Sequence, residues 1–299
     1  MDQPAQGSLF ASPPRDTSLR VGPAGWNYKD WEGTVYPSGL SRSFDPLAFL
    51  ADYFDTVEIN SSFYSPPNPA AAASWALRVH NNSRFRFTAK AWQRLTHERA
   101  EASQESTAAA CDTVRQSMAP LVEKGQLGAL LIQFPWSFRY SAENLDHLAL
   151  LARLLGGFPL VVEVRHGSWD REGFYAFLRE QSMGFCNVDQ PVIGNSLRPS
   201  GRVTAPVGYF RLHGRNYQNW FKEDAGRDAR YDYLYSKAEV QEVARLIRTV
   251  KQDAEETYAI TNNHFRGQAL VNALDILEEL DASPPAVPPL LAEAYPHLK

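Results

Sequence analysis

Short apolar runs alternate with longer segments of helical period along most of the chain. Eight runs rich in β-branched and aromatic residues have the length of buried strands. They are Leu19–Ala24, Thr56–Asn60, Arg84–Lys90, Gly128–Phe134, Leu160–Arg165, Gly184–Asp189, Val207–His213 and Thr257–Asn262. Between them, apolar residues spaced three and four apart predict helices at 102–122, 142–155, 171–181, 238–251 and 269–280. Strands that alternate with helices are typical of a parallel sheet covered by helices.

Helix-capping residues mark the starts of several of these helical segments. Asp45 followed by Pro46 places a cap residue before a proline at the first helical position. Ser236 and Glu239 have the spacing of a capping box, and Ser141 is a weaker cap before 142–155. These signals support helices that begin just before their apolar-periodic runs.

Eight strand–helix units without a change of composition predict one (β/α)8 TIM-type barrel over residues 19–282. An open doubly wound sheet is the alternative, but no Gly-x-Gly-x-x-Gly motif follows the first strand. The first 18 residues are predicted to be a flexible leader. The proline-rich tail over 283–299 is predicted to be irregular.

Composition and charge restrict the class of protein. The 299 residues are 44% hydrophobic and carry a formal net charge of -4, which argues against an overall basic nucleic-acid coat. No apolar run is long enough to span a membrane, and the N-terminus lacks the pattern of a signal peptide. Two cysteines form no disulfide framework or metal-binding spacing. We therefore expect a cytoplasmic protein without membrane partners; its oligomeric state is not predicted.

Polar residues occur at the carboxyl ends of the predicted strands, where TIM barrels place their chemistry. In each strand the polar residues share one parity, and in most the other parity is apolar, as in Val57 and Ile59 beside Glu58. Because helices cover the outside of a barrel, we expect the polar parity to face the barrel axis. The candidates for chemistry are Glu58, Glu163, Asp189 and His213. The candidates for substrate binding are Asn60, Lys90, His97, Gln133, Arg165, Arg211, Asn262 and Trp26.

Three functions are compatible with this set. Glu58 and Glu163 have the residue types of an acid–base pair acting on a sugar or phosphorylated substrate, as in a hydrolase or isomerase. Glu58, Glu163, Asp189 and His213 would alternatively bind a divalent metal, although no cofactor is required. The third possibility is a non-catalytic module that binds a phosphosugar or nucleic acid.

The segment Gly214–Tyr235 bears on the third possibility because it interleaves aromatic and cationic residues. Its four acidic residues offset much of the positive charge, so we favour a lid over a nucleic-acid surface. The predicted partner is a small polar or anionic ligand, with nucleic acid as the less favoured partner.

Several motifs resemble one known family in order along the chain. They include Gly22-Pro23-Ala24-Gly25-Trp26, Val57 to Tyr64, Val162 to Trp169, Arg211-Leu212-His213-Gly214-Arg215 and Asn262-Asn263-His264. From about Arg20 to Leu280 the chain resembles the YecE-like family, domain of unknown function 72. The resemblance implies a TIM-type barrel and supplies no reaction.

Overall fold

Eight parallel strands follow one another along the chain, each close to its predicted position. The structure is a computed structural model that describes residues 16, 18–99, 103–217, 231–280 and 286–298. The strands are β1 (Leu19–Pro23), β2 (Thr56–Ile59), β3 (Arg86–Lys90), β4 (Leu127–Gln133), β5 (Leu160–Glu163), β6 (Gly184–Asp189), β7 (Val207–Leu212) and β8 (Glu256–Thr261). The described helices are α1 (Pro46–Ala51), α2 (Pro69–Arg78), α3 (Gln104–Glu123), α4 (Ala142–Leu154), α5 (Glu172–Glu180), α6 (Lys237–Asp253), α7 (Gln268–Glu279) and α8 (Pro289–Ala294).

The predicted caps are present at three helix starts. Asp45 accepts hydrogen bonds from the amides of Leu47 and Ala48 at the start of α1. Ser236 and Glu239 form a reciprocal capping box on α6, and Ser141 accepts from the Asn144 amide on α4. Each cap satisfies an amide that has no partner within its helix.

The eight strands form a single (β/α)8 TIM-type barrel, as predicted. They are hydrogen-bonded in the order β1-β8-β7-β6-β5-β4-β3-β2. A short seam joins β1 to β2, where Ala24 pairs with Glu58 and the Gly25 amide donates to the Glu58 carbonyl at 2.9 Å. Gly22 allows this approach, since a Cβ there would lie 2.0 Å from the carbonyl oxygen of Thr56.

Strand residues of opposite parity pack into two separate clusters. Leu130 and Ile132 of β4 belong to the large cluster between strands and helices, whereas Leu131 belongs to a second cluster inside the barrel. The inner cluster contains Ala24, Ala129, Leu131, Val161, Cys186, Val188, Val207, Tyr209, Tyr258 and Ile260. Polar residues occupy the carboxyl ends of the strands, above this inner cluster.

One helix of the ideal barrel is missing. Residues 190–206, which join β6 to β7, contain no helix. The outer face of β6 is covered instead by this irregular connection, whose Ser200 hydroxyl and Arg202 amide donate to the Asn187 side chain at 2.8 and 3.1 Å.

The two ends of the chain qualify the predicted domain limits. Of the predicted leader, only Asp16 and Ser18 lie within the described residues, and Asp16 pairs with Lys251 of α6. The prediction of an irregular tail is wrong for Pro289–Ala294, which forms α8. Proline is tolerated in a first helical turn, and burial of Leu291 stabilises the helix against the barrel.

No helix in the described ranges is both long and apolar enough to cross a membrane.

Candidate functional site

A buried arginine joins two carboxylates across the barrel axis. Arg211 of β7 places Nη2 2.7 Å from Oε1 of Glu58 on β2, and Nη1 2.7 Å from Oε2 of Glu163 on β5. All three side chains are at most 1% exposed. Their inward orientation follows the strand alternation that the sequence predicts, because each has apolar neighbours of the other parity facing the helices.

The remaining carboxylate oxygens also have partners. Oε2 of Glu58 lies 3.0 Å from the Tyr209 hydroxyl, which also contacts Thr88. Oε1 of Glu163 accepts from Nη2 and Nε of Arg165 at 2.8 and 3.0 Å. Burial acts to raise the pKa of Glu163, but Arg211 and Arg165 hold that pKa well below its usual range. Glu163 is therefore ionised in the folded protein at neutral pH.

A polar pocket lies on top of these ion pairs and has a cavity volume of about 110 Å³. Its lining consists of Tyr28, Asn60, Tyr64, Lys90, Gln133, Arg165, Arg211, His213, Tyr231, Asn262 and His264. Seven of the residues predicted as site candidates meet here. Glu58 and Glu163 do not line the cavity; they lie beneath it and neutralise the arginines that do.

Lys90 contributes an unusual amine to the pocket. It ends β3, and its Nζ lies 4.0 Å from the centroid of the Phe63 ring. The Lys90 amine forms no ion pair with any described carboxylate. The carboxylates of Glu58 and Glu163 are already engaged by arginines and by Tyr209. Burial and the neighbouring charge of Arg211 lower the pKa of Lys90 to about 7, against partial opposition from Glu58 and Glu163. Near neutral pH a large share of this amine is uncharged.

His213 is held as a neutral imidazole on the pocket wall. Its Nδ1 lies 3.0 Å from the Asn262 side-chain nitrogen, and its Nε2 lies 3.7 Å from Oε1 of Glu163. Burial and the charge of Arg211 lower the pKa of His213 to about 3. The imidazole therefore offers hydrogen bonds to a ligand but carries no proton to release as an acid at neutral pH.

Asp189 was predicted to join this site, but the structure places it elsewhere. Its carboxylate accepts from Arg215 Nη2 at 2.7 Å and from the Tyr235 hydroxyl at 2.7 Å. The parity prediction fails in β6 because Cys186 and Val188 face the barrel interior. On the outer face of β6, Asn187 contacts the irregular connection that replaces a covering helix, whereas Asp189 contacts Arg215 and Tyr235 of the segment that follows β7.

Two further candidates lie outside the pocket lining. Trp26 packs edge-on against Trp75 with the ring centroids 5.5 Å apart. The His97 ring lies edge-on to the Phe63 ring with the centroids 4.9 Å apart, and this is the same ring against which Lys90 packs. The Nδ1 atom of His97 is 2.9 Å from the Thr96 hydroxyl. His97 therefore borders the site through Phe63.

The four residues considered as metal ligands do not come together. Asp189 is engaged by Arg215, and Arg211 lies between Glu58 and Glu163. Throughout the ranges that the structure describes, no group of three or more histidines, cysteines and carboxylates is placed to hold a metal ion.

The sequence analysis did not select four of the pocket residues as site candidates. Tyr28, Tyr64, Tyr231 and His264 reach the cavity from loops that follow strands. Loop residues carry no periodic signal, so strand parity has no means of finding them. Their position within the family-like motifs, as for Tyr64 and His264, was the available indication.

Part of the predicted lid, Gly214–Tyr235, lies outside the described residues at 218–230. Of its described part, Tyr231 lines the pocket and Tyr235 accepts a hydrogen bond from the Gly214 amide at 3.0 Å. The prediction of a lid remains a prediction.

Comparison with known proteins identifies close overall likenesses. A family model described as "Protein of unknown function DUF72" matches residues 20–296. The UPF0759 protein YunF of Bacillus subtilis (strain 168) is 28% identical over 273 residues, which make up 88% of this chain and 95% of that protein.

Solved structures give the same picture. The crystal structure of a DUF72 family protein from Thermotoga maritima MSB8 is 33% identical, with a TM-score of 0.75 over 88% of this chain and 99% of that one. A DUF72 family protein from Enterococcus faecalis V583 is 28% identical, with a TM-score of 0.76 over 88% of this chain and 95% of that one. The range matched by the family model, 20–296, contains the carboxyl ends of all eight strands.

Proposed function

The chain belongs to the DUF72 family of proteins of unknown function, and from this premise we propose that its axial pocket is an enzyme site. Its substrate is a small anionic, hydroxyl-bearing molecule such as a sugar acid or a sugar phosphate. The observation that carries the proposal is the cationic and amide lining above a saturated ion-pair floor. Arg165 and Arg211 provide guanidinium groups, while Asn60, Gln133 and Asn262 provide amides that hydrogen-bond hydroxyl groups.

Lys90 is the proton-transfer group in this proposal. A general acid or base works best when its pKa lies near the working pH, and the pKa of Lys90 is lowered to about 7. Glu58 and Glu163 keep an essential role, but a different one from an acid–base pair. With all four oxygens engaged, they orient Arg211 and Arg165 and balance their charge, and are therefore positioning residues.

Thermal-shift measurements with defined ligands test the proposal. A ligand that binds only the folded state raises the Tm by mass action. We expect sugar acids and sugar phosphates to raise the Tm of the wild-type protein. We expect Arg165→Gln to abolish this shift, and Arg179→Gln, which alters an exposed pair with Glu172, to retain it.

The same thermal-shift measurements are made with divalent metals and with short single-stranded nucleic acids. The proposal is overturned if only these raise the Tm, or if anionic sugars shift the wild type and Arg165→Gln equally.

A further inference from the structure

We propose that the substrate is a small 2-oxo acid and that the Lys90 amine condenses with its carbonyl carbon to form an iminium. This inference rests on the proposed function: it restricts the anionic substrate of the same pocket, sugar acids included, to compounds with a 2-oxo group, and it gives the Lys90 amine a covalent role in place of proton transfer. It explains why a lysine that pairs with no described carboxylate lies among arginines at the end of β3.

Among the described residues, the Lys90 amine has no ionic partner to hold it as an ammonium group. Arg211 and Tyr209 engage the two oxygens of Glu58, and Arg211 and Arg165 engage those of Glu163. In the described part of the chain, Lys90 forms no ion pair of its own. A lysine in this situation, desolvated and beside other cations, is the kind of amine that attacks carbonyl carbons at neutral pH.

Neighbouring residues also fix the position of the Lys90 amine. Lys90 ends a barrel strand, and its Nζ packs 4.0 Å from the centroid of the Phe63 ring. The Ser62 hydroxyl donates to the Lys90 backbone carbonyl at 2.7 Å and ties the strand end to the loop that carries Phe63. The nucleophile is therefore held at one place on the pocket wall.

Charge balance selects an anionic carbonyl compound. An iminium formed from a neutral aldehyde or ketone would add a third positive charge beside Arg165 and Arg211. A carboxylate attached to the carbonyl carbon brings the compensating negative charge with it.

Arg165 provides the attachment point for that carboxylate. Its Nε and Nη2 bind Glu163, its side chain is 17% exposed, and Nη1 hydrogen-bonds no described residue. The Arg165 guanidinium therefore has donors left for a second carboxylate. The cavity of about 110 Å³ suits an oxo acid of a few carbon atoms.

The step is balanced without an oxidant or reductant. The nitrogen lone pair of neutral Lys90 forms a bond to the carbonyl carbon as the carbonyl π pair moves to oxygen, and a proton passes from that nitrogen to the oxygen to give a carbinolamine. The hydroxyl then takes one proton from solvent and leaves as water, while the nitrogen lone pair forms the carbon–nitrogen double bond. Overall, one neutral amine, one carbonyl group and one proton give one iminium and one water molecule.

Reductive trapping on the full-length protein tests the inference. The protein is incubated with pyruvate and sodium cyanoborohydride near about pH 7, where roughly half of the Lys90 side chains are uncharged given a pKa of about 7. We expect the intact mass to rise by that of the oxo acid less one oxygen atom. Peptide mapping should place the adduct on Lys90, at a rate on the order of a hundredfold above that of any lysine with an ordinary pKa.

Two variants control the labelling. Lys90→Arg keeps a positive charge but has no amine for condensation, so the adduct should disappear. Lys124→Arg alters an exposed lysine at the end of α3 and should label like the wild type. Labelling that persists in Lys90→Arg, or that spreads evenly over exposed lysines, overturns the inference.

Lactate separates failure of this inference from failure of the proposed function. It has the same carboxylate but no carbonyl group, so it should bind in calorimetry without being trapped. If pyruvate and lactate both bind in an Arg165-dependent way and pyruvate gives no adduct, the iminium is wrong and the anion pocket stands. If Arg165→Gln alters the binding of no anionic ligand, sugar acids and sugar phosphates included, both proposals fail.

Discussion

Arg211 allows two carboxylates to remain ionised in the dry interior of the barrel. Its guanidinium is 1% exposed and contacts both Glu58 and Glu163 at 2.7 Å. Removing one member of a buried ion network leaves uncompensated charges, which is far more costly than losing an exposed pair. The network is therefore a structural precondition for the pocket above it.

Arg211→Met should lower the free energy of unfolding by about 3–5 kcal/mol at neutral pH, because it leaves two buried carboxylates without their shared cation. The loss should shrink as the pH falls, since protonation of Glu163 in the variant removes an unpaired buried charge. Urea denaturation at several pH values measures both effects. Arg179→Met, at the exposed pair with Glu172, is the matched control and should leave the midpoint unchanged.

Lys90 should make stability depend on alkaline pH. Its pKa is lowered from 10.5 to about 7 in the folded protein, so the unfolded chain binds more protons between these values. Stability should therefore rise as the pH increases from about 7 to 10.5, and the cost of charging Lys90 is fully present below that range. In Lys90→Met this rise should be smaller, as measured by denaturant unfolding; an unchanged slope would contradict the lowered pKa.

At the residue scale, the sequence predicted which polar groups approach the axis in most strands but not how they pair. Seven of the predicted candidates line one cavity. Strand parity gives the direction of a side chain but not the distance between atoms on different strands. The 2.7 Å contacts of Arg211 are the reason why the proposed function treats Glu58 and Glu163 as positioning residues, and these contacts were not predictable from parity.

At the scale of elements, strand positions follow from hydrophobic pattern more closely than strand orientation does. All eight strands begin and end within two residues of their predicted limits. The inward face was misassigned in β6, where Asn187 and Asp189 share one parity. The assumption behind the prediction was a covering helix on every strand, and residues 190–206 supply polar loop groups in its place.

The β1–β2 seam should be the element most sensitive to added bulk. A Cβ at Gly22 would lie 2.0 Å from the Thr56 carbonyl oxygen, so Gly22→Ala must push the two strands apart. We expect a loss of about 1–3 kcal/mol in the free energy of unfolding, the usual range for overpacking.

Gly173→Ala provides the control for this substitution. A Cβ at Gly173, in the first turn of α5, meets nothing within 4 Å, and alanine favours a helix over glycine by up to about 1 kcal/mol. Urea denaturation should show that Gly22→Ala lowers the free energy of unfolding, whereas Gly173→Ala raises it or leaves it unchanged. Equal destabilisation by both would contradict a tight seam.

At the scale of the whole molecule, the buried imidazole of His213 should make the free energy of unfolding sensitive to acid. The pKa of His213 is lowered from 6.5 to about 3, so the unfolded chain binds a proton in this range that the folded protein rejects. Stability should fall as the pH decreases from about 6.5 to 3. From the usual pKa range of a glutamate downward, the unfolded chain also binds a proton at Glu163 that the folded protein does not bind, which adds to the loss.

Replacing His213 with asparagine isolates its share of this acid sensitivity. His213→Asn should flatten the fall of unfolding free energy between about pH 6.5 and 3, as followed by denaturant titrations. His297→Asn, at an exposed ring near the chain end, is the comparison and lies far from the pocket. A decline of the same steepness in His213→Asn would show that other groups dominate.

At this scale the barrel and the family were accessible from the sequence alone, because a repeated period and ordered motifs extend over most of the chain. The helix α8 was not, since the proline-rich composition around it is also typical of irregular tails. What decides the matter is burial of Leu291 against the barrel, a contact between distant parts of the chain.

Glu58 belongs to two structures at once. Its backbone carbonyl accepts a hydrogen bond from the Gly25 amide at the β1–β2 seam. Its carboxylate forms an ion pair with Arg211 beneath the pocket. The Gly25 amide proton is thus a built-in reporter for the pocket floor. Its exchange with solvent deuterium should slow or quicken when a compound tightens or loosens Glu58, and so provides a way to screen compounds for binding without any dye or label inside the cavity.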